Sequence, residues 1–144
     1  MPSFLLLILA LLSPQDEHRD ERFLPAHNDN SAIYQYAGYT LQYSEDHEQP
    51  LWVAYELTAD EVAGMLGRTN DYRRDPTIDT GSAVLKDYSR SGYDRGHLAP
   101  AADMRWSPEA MSESFYLSNM SPQVAGFNRG VWRKLEARVR NLAS

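Results

Sequence analysis

Hydrophobic and polar residues alternate in two segments of the first half of the chain. Residues 39–44 (YTLQYS) and 51–58 (LWVAYELT) follow this pattern and are rich in aromatic and β-branched side chains. Such alternation is typical of half-buried strands, and the polar segment between them favours a turn. The pattern therefore predicts a β-hairpin over residues 39–58. Residues 13–37 show little periodicity, and we expect them to form an N-terminal extension.

Capping signals predict two short helices after the hairpin. Thr58 and Glu61 form a capping box ahead of a helix that should end by Gly67. Ser107, followed by Pro108, is typical of a second helix start, and that helix should run to about Ser114. The segment between the helices, residues 68–92, has no clear periodicity, and a loop of this length is usually functional or mobile. A short extended segment is predicted at residues 115–117.

A third helix is predicted to begin between Val124 and Gly130 and to run toward the end of the chain. Four of its hydrophobic residues share helical spacing and are expected to face the core: Trp132, Leu135, Val139 and Leu142. Asn128 lies four residues before Trp132 and Glu136 four after it, so both fall on or beside this stripe. Because burying either group without a partner is costly, each is either functional or a boundary residue with local partners.

The composition is that of one folded domain with an uneven charge distribution. Of 144 residues, 42% are hydrophobic and 24% charged, and the lack of cysteine excludes thiol catalysis and thiolate metal sites. The net charge is −6, but residues 1–67 carry a balance of −9 and residues 68–144 one of +3. Because local charge governs attraction of a polyanion, the second half is the better candidate for binding nucleic acid. The basic residues of the third helix are expected mostly on its other faces: Arg129, Arg133, Lys134, Arg138 and Arg140.

A nine-residue hydrophobic run lies near the N-terminus, at Phe4–Leu12. It is too short to span a bilayer, which takes about 20 residues. Its length is typical of a secretory signal peptide, although no Lys or Arg precedes it. We therefore expect a signal and processing region at residues 1–22 and a secreted or periplasmic protein without a membrane anchor. The alternative is a buried strand or a short core helix.

The candidate chemistry is concentrated in residues 93–100 (YDRGHLAP). A phosphodiesterase needs one group that takes a proton from water and others that neutralise charge on the transition state. A neutral imidazole suits the first task, and an arginine or a divalent cation suits the second. His97 and Arg95 meet these needs, and Asp94 adds an acid beside them. Gly96 would let the backbone turn sharply or approach a ligand closely.

The segment Asp94-Arg95-Gly96-His97 resembles the signature of the DNA/RNA non-specific endonucleases, the family of endonuclease G and the secreted bacterial sugar-non-specific nucleases. The resemblance continues in further ordered blocks at residues 38–41, 52–57, 99–104, 115–123 and 127–136. Blocks that follow one another with family-like spacing are far more specific than a four-residue motif. Together they span residues 38–144.

The resemblance implies an α+β fold with a ββα-metal (His-Me finger) core, in which a strand and loop hold the histidine and a following helix supplies the metal ligand. It implies a metal-dependent endonuclease that cuts DNA or RNA with little sequence specificity. By position, His97 would be the general base, and Asn128 would be the direct protein ligand of Mg²⁺, with Mn²⁺ as an alternative. Glu136 would orient water around the ion, and Arg95 would help to hold phosphate. A single oxygen ligand suits Mg²⁺, which keeps much of its water shell.

Other residues are candidates for supporting roles. Asn119 would fix the loop around the site or be purely structural, and Asp94 would support the histidine segment. Arg68 or Arg73 would be the upstream phosphate-binding arginine that the resemblance implies, the alternative being an ordinary exposed arginine.

Family catalytic domains extend well beyond the Glu136 position, so we expect residues 38–144 to be the N-terminal part of an incomplete domain, truncated at its C-terminus. Residues 23–37 would be an N-terminal extension to it. Two rival functions stay open: a non-catalytic nucleic-acid-binding module of the same fold, and a phosphodiesterase of small nucleotides. The basic third helix favours a polymeric substrate, since several spaced cations bind a long polyanion more strongly than a small nucleotide.

Overall fold

The computed structural model describes residues 24–25 and 32–144, which contain two antiparallel sheets and a long C-terminal helix. The first sheet has the strand order β1 (Ile33–Gln35), β2 (Thr40–Ser44) and β3 (Gln49–Ala54). The second sheet pairs β4 (Asp94–His97) with β5 (Met120–Gln123). The C-terminal helix begins two residues after β5. None of the helices in this described part of the chain is long and apolar enough to cross a membrane.

The predicted hairpin is confirmed as β2 and β3. All of β2 is buried, because it is the central strand and pairs on both sides. Its register places Leu41 opposite Val53 and shifts between Gln42 and Tyr43. β3 ends before the end of the alternating segment. β1 lies in the segment that is predicted to be an N-terminal extension. It is not predicted as a strand, because three residues are too few to show a period.

Both predicted short helices begin where their capping residues predict, and one further short helix lies between them. They are α1 (Ala59–Val62), α2 (Leu85–Tyr88) and α3 (Pro108–Glu113), with 3-10 turns at Ala101–Asp103 and Leu117–Asn119. Thr58 and Glu61 complete the capping box of α1. The long segment between α1 and β4 is irregular as predicted, apart from the single turn α2. The extended segment predicted at residues 115–117 is reduced to one bridge between Arg73 and Tyr116.

The C-terminal helix confirms its predicted start but not its predicted orientation. It consists of α4 (Ala125–Phe127), a π-helical turn (Asn128–Trp132) and α5 (Arg133–Ala143). The prediction that Leu135, Val139 and Leu142 face the core is wrong, because these side chains are 51%, 37% and 72% exposed.

The inward stripe of α5 is polar instead. It contains Glu136 and Arg140, both half-buried, in line with Trp132. Arg140 was expected on another face, but its guanidinium pairs at 2.5 Å with the fully buried carboxylate of Asp103. Removing one partner of a buried ion pair costs about 3–5 kcal/mol. Hydrophobic spacing cannot detect such a pair, which explains the error.

The main core lies against the first sheet and is largely made of tyrosines. Tyr36 and Tyr39 stack with ring centroids 4.6 Å apart, and both are buried. The carboxylate of Asp75, fully buried, accepts hydrogen bonds from the hydroxyls of Tyr36 and Ser118. Asp75 therefore anchors the irregular segment to the core and positions Tyr72, three residues earlier, near β4.

Candidate active site

His97 is the last residue of β4 and is only 8% exposed. Two rings enclose its imidazole edge to face: Phe115 at a centroid distance of 5.0 Å and Tyr72 at 5.8 Å. Its Nε2 atom is buried and has no hydrogen-bond partner among the described residues. Because a buried polar atom without a partner costs about 1–3 kcal/mol, such an atom calls for a functional explanation.

The imidazole of His97 is held in its neutral form. Burial, together with the positive charges of Arg68 and Arg95, lowers the pKa of His97 to about 3. At neutral pH the ring is therefore unprotonated and able to accept a proton. A phosphate bound by the two arginines would offset their charge and raise the basicity of the ring.

Asn119 fixes the backbone that follows His97. It is fully buried, and its amide nitrogen donates to the carbonyls of Ala99 and Ser114, both at 2.9 Å. Its Oδ1 accepts from the N–H of Ala99 at 2.9 Å, and its own carbonyl accepts from Leu98 at 3.0 Å. These bonds direct the Asn119 side chain toward the protein backbone, where it holds the histidine loop.

Of the two roles expected for Gly96, a sharp turn or a close approach to a ligand, the structure excludes the sharp turn. The residue lies within the extended strand β4, and a Cβ atom there would be 2.1 Å from the side chain of Gln123. Glycine is needed because Gln123 packs directly against the backbone of β4.

Asn128 opens the π-helical turn and faces the beginning of β4. Its Nδ2 donates to Asp94 at 2.9 Å, and Arg129 donates to both oxygens of the same carboxylate at 2.8 and 2.6 Å. The hydrogen bonds from Arg129, and then from Asn128, lower the pKa of Asp94. An ionised carboxylate only accepts hydrogen bonds, so the amide nitrogen of Asn128 must face it.

The same geometry turns Oδ1 of Asn128 away from Asp94. This oxygen makes no hydrogen bond to the described residues. Amide oxygens are among the ligands that hard divalent cations prefer, and π-helical turns are frequent at functional sites. Asn128 therefore fits the role of a metal ligand. No cluster of three or more His, Asp or Glu side chains that could hold a metal occurs in the described ranges.

Glu136 lies two helical turns beyond Asn128 on the inward face. Burial raises the pKa of its carboxyl, Arg140 opposes this shift, and Asp103 adds to it. Arg68 also acts electrostatically on Glu136, as it does on His97. Both the carboxyl and the imidazole therefore lie within electrostatic range of Arg68.

The candidate arginines differ in how far their guanidinium groups are already engaged. Arg95 is exposed and lies over the Tyr72 ring at 4.2 Å, and it makes no hydrogen bond to the described residues. Arg68 is also exposed, lies over the Phe115 ring at 4.7 Å and donates to Asn70 and to the Tyr72 hydroxyl. Both groups keep donors free for a ligand beside His97.

Arg73 is engaged within the protein. It donates to the Asp71 carboxylate at 2.7 Å and to the backbone and hydroxyl oxygens of Ser112 at 3.0 and 2.9 Å. Its guanidinium also lies over the Tyr116 ring at 4.3 Å. Of the two upstream candidates, the geometry therefore favours Arg68 for phosphate and gives Arg73 a structural position.

Three residues of the site are not recognisable as such from the sequence: Tyr72, Trp132 and Arg140. Tyr72 contacts the His97 ring and both nearby arginines, and the Trp132 indole donates to the His97 carbonyl at 3.0 Å. The four-residue spacing of Arg140 from Glu136 could have identified Arg140 as a partner. No local pattern connects Tyr72 with His97, because they meet only through tertiary folding.

The site is built on two antiparallel strands followed by a helix. The histidine lies on the first strand and the amide on the helix, and this arrangement defines a ββα-metal nuclease core. A sequence model described as DNA/RNA non-specific endonuclease matches residues 23–144. The chain belongs to this family.

Known proteins of this family are similar over most of the chain. Mitochondrial nuclease EXOG of Danio rerio is 40% identical over 109 residues, which are 74% of this chain and 32% of that protein. The mitochondrial nuclease of Saccharomyces cerevisiae is 43% identical over 104 residues, covering 69% and 32% of the two chains. Human mitochondrial endonuclease G is 42% identical over 106 residues, covering 72% and 36%. The chain thus spans 32–36% of the length of these relatives.

A solved structure confirms the expected fold class. The crystal structure of the EndoG/EndoGI complex, concerned with EndoG inhibition, matches with a TM-score of 0.73 and 43% identity. The match covers 77% of this chain and 47% of that chain.

The expectation of a secreted or periplasmic protein is contradicted by these relatives. The zebrafish, yeast and human proteins are all named as mitochondrial. The hydrophobic run Phe4–Leu12, on which the expectation rests, lies outside the described residues. That run also lacks the basic segment that precedes the apolar region of a secretory signal.

Proposed function

We propose that this chain carries the catalytic site of a metal-dependent endonuclease that hydrolyses phosphodiester bonds of DNA or RNA with little sequence specificity. One observation carries the proposal: Nε2 of His97 is buried, has no partner in the described structure, and belongs to a neutral ring beside two arginines. Phosphodiester hydrolysis needs this combination, because water must lose a proton while negative charge accumulates on the phosphate.

Each group has a defined task in this proposal. His97 accepts the proton of the attacking water at Nε2. Arg95 and Arg68 donate to the non-bridging phosphate oxygens through the donors that the protein leaves free. Glu136 lies about 12 Å beyond Asn128 along the helix axis, at about 1.5 Å per residue, and acts through intervening water.

Asn128 would hold the divalent cation, Mg²⁺ or Mn²⁺, through Oδ1. The ion, when bound, supplies Lewis-acid stabilisation of the negative charge that develops on the phosphate and the leaving oxygen. Asp94 and Arg129 keep the amide in the orientation that presents this oxygen. Because the amide oxygen is neutral, we expect weak binding of the ion without substrate.

The substrate is a polymer in this proposal. Three basic residues are exposed along α5: Arg133, Lys134 and Arg138. Spaced cations bind a long polyanion more strongly than a small nucleotide, since each neutralised phosphate releases counterions.

Plasmid nicking with a Mg²⁺ titration tests the proposal. We expect Asn128→Ala to lose cleavage mainly through weaker metal binding, so that raised Mg²⁺ restores part of the activity. Asn141→Ala, a matched change at an exposed position of the same helix, serves as the control and should keep the parental Mg²⁺ requirement. An unchanged requirement in Asn128→Ala, or a parent protein that still cuts in excess chelator, would refute the one-metal site.

A further inference from the structure

An open cleft of about 770 Å³ lies beside the candidate active site. Asp94, Arg95 and Asn128 form one wall, so the cleft adjoins the positions proposed for phosphate and metal. His97 does not line the cleft. The cleft therefore lies beside the proposed general base and does not contain it. The remaining wall is aromatic, aliphatic and basic, and includes Tyr88, Tyr93, Leu85 and Lys86.

Two hydrophobic side chains of the cleft are unusually open to solvent. Tyr93 is 51% exposed and Leu85 is 46% exposed. The Tyr93 ring stacks on no other ring in the described part of the chain. Tyr88 differs, because it packs against a small buried cluster that includes Leu117 and Met120. In this cleft Tyr88 is therefore held by the buried cluster, whereas the Tyr93 ring is open to solvent. Exposed apolar surface at a cleft marks a binding site.

The charge of the cleft is positive. Lys86 is exposed and Arg95 makes no ion pair with a described residue, whereas the Asp94 carboxylate is already paired at 2.6 Å with Arg129. Free aromatic faces beside cations are typical of surfaces that bind single-stranded nucleic acid, where each base stacked on an aromatic ring contributes about 1–3 kcal/mol.

We propose that this cleft binds one unpaired nucleobase of the substrate strand, with Tyr93 and Leu85 against the base and Lys86 near its phosphate. The assignment to a substrate strand rests on the proposed function. Tyr93 precedes His97 by four residues of extended chain, about 13 Å at about 3.3 Å per residue. The bound base therefore belongs to a nucleotide near the scissile phosphate and not to the phosphate itself. A duplex would have to unstack that base at a cost of a few kcal/mol, so the cleft favours single-stranded segments.

Binding of oligonucleotides in excess chelator tests the cleft without cleavage. The probes are a single strand of about ten nucleotides, within the usual site size, an abasic strand of equal length, and the matching duplex. For the parent, the complete single strand should bind about 5- to 150-fold more tightly than the abasic strand. Tyr93→Ala should remove most of this ratio and leave binding of the duplex within about two-fold.

Matched variants separate stacking from general damage. Tyr93→Phe keeps the ring and should keep the ratio, and Leu85→Ala should reduce it. Leu51→Ala is the control, because Leu51 is 50% exposed on β3 and does not line the cleft. Circular dichroism checks that each variant is folded.

The outcomes separate the cleft from the nuclease proposal. Equal binding of complete and abasic strands by the parent, or an unchanged ratio in Tyr93→Ala, would overturn the base site whatever the cleavage result. A ratio that depends on Tyr93, in a protein that fails to cut any strand with Mg²⁺, would support the base site while the endonuclease proposal fails.

Discussion

The two sheets of this protein bury polar groups in different ways. Around the first sheet the buried carboxylate of Asp75 is surrounded by donors, and the tyrosine core is tightly packed. In the ββα unit, His97 Nε2 and Gln123 Oε1 are buried without partners among the described residues. The Tyr43 hydroxyl is the one comparable atom of the first sheet.

This difference indicates that the first sheet serves mainly the stability of the fold, whereas the ββα unit carries the groups proposed for catalysis. An unsatisfied buried polar atom lowers stability by about 1–3 kcal/mol. The cost is understandable if His97 is the proposed base beside two arginines, since catalytic sites retain groups that packing alone would remove. We therefore expect substitutions in the first sheet to change folding and substitutions in the ββα unit to change turnover.

The largest effect is expected for His97→Ala. Loss of the proposed general base should lower cleavage by about 10²–10⁴-fold. The free energy of unfolding should change by no more than about 1–2 kcal/mol, because removal of the unpartnered nitrogen offsets the lost ring contacts. Single-turnover cleavage and chemical denaturation measure the two effects. Near-parental turnover would show that His97 is not the base.

Tyr39→Ala should produce the opposite result. Its ring is fully buried and stacked on Tyr36, so truncation should lower the free energy of unfolding by about 3–5 kcal/mol. Tyr39→Phe removes the hydroxyl that donates to the Glu113 carbonyl at 2.9 Å and should cost about 1 kcal/mol. Cleavage per folded molecule should stay parental in both variants, and a specific loss of turnover would contradict the separation of roles.

The free energy of unfolding should fall at acid pH, because His97 is buried in its neutral form. The folded pKa is about 3, below the ordinary value of 6.5, so between these values the unfolded chain binds a proton that the folded chain excludes. Stability should therefore fall as pH is lowered through this window, by up to about 1.4 kcal/mol per pH unit. Denaturation of the parent and of His97→Gln from pH 7 to about 4 measures this difference, since Gln does not titrate. Parallel pH profiles would show that the imidazole is protonated normally.

Arg68 and Arg73 provide a comparison within one loop. Arg68→Ala should lower cleavage by about 10- to 100-fold, the value of charge-assisted hydrogen bonds worth about 1.5–3 kcal/mol. Arg73→Ala should keep near-parental turnover and lose about 1 kcal/mol of stability, because its pair with Asp71 is partly exposed. Reversed effects would mean that Arg73 binds phosphate and Arg68 is structural.

The smallest effect is expected on the outer face of α5. Leu135→Ala should change the free energy of unfolding by less than about 0.5 kcal/mol, because that side chain is 51% exposed. Trp132→Ala, on the inward face, should cost more, since it removes the hydrogen bond to the His97 carbonyl. A loss of 2 kcal/mol or more (about the value of a buried Leu) in Leu135→Ala would place Leu135 in a packed environment.

Much of the architecture was predictable from short-range patterns. The hairpin, the capping box at Thr58, the Ser107 helix start and the start of the last helix all depend on residues within a few positions of one another. Strands β1 and β5 were not predicted, because three or four residues show no reliable period. The orientation of α5 was wrongly predicted, because hydrophobic spacing gives no sign of the buried Asp103 that pairs with Arg140 on the inward face.

By itself, the sequence determined the family and the identity of the candidate groups, since His97, Asn128, Glu136 and the arginines are recognisable from their types and spacing. Only the tertiary structure decided how these groups are engaged. It turns Oδ1 of Asn128 outward by pairing the amide nitrogen with Asp94, and it engages Arg73 but leaves Arg95 free. Spacing along a chain constrains only local geometry, whereas hydrogen-bond partners and burial depend on segments that meet after folding.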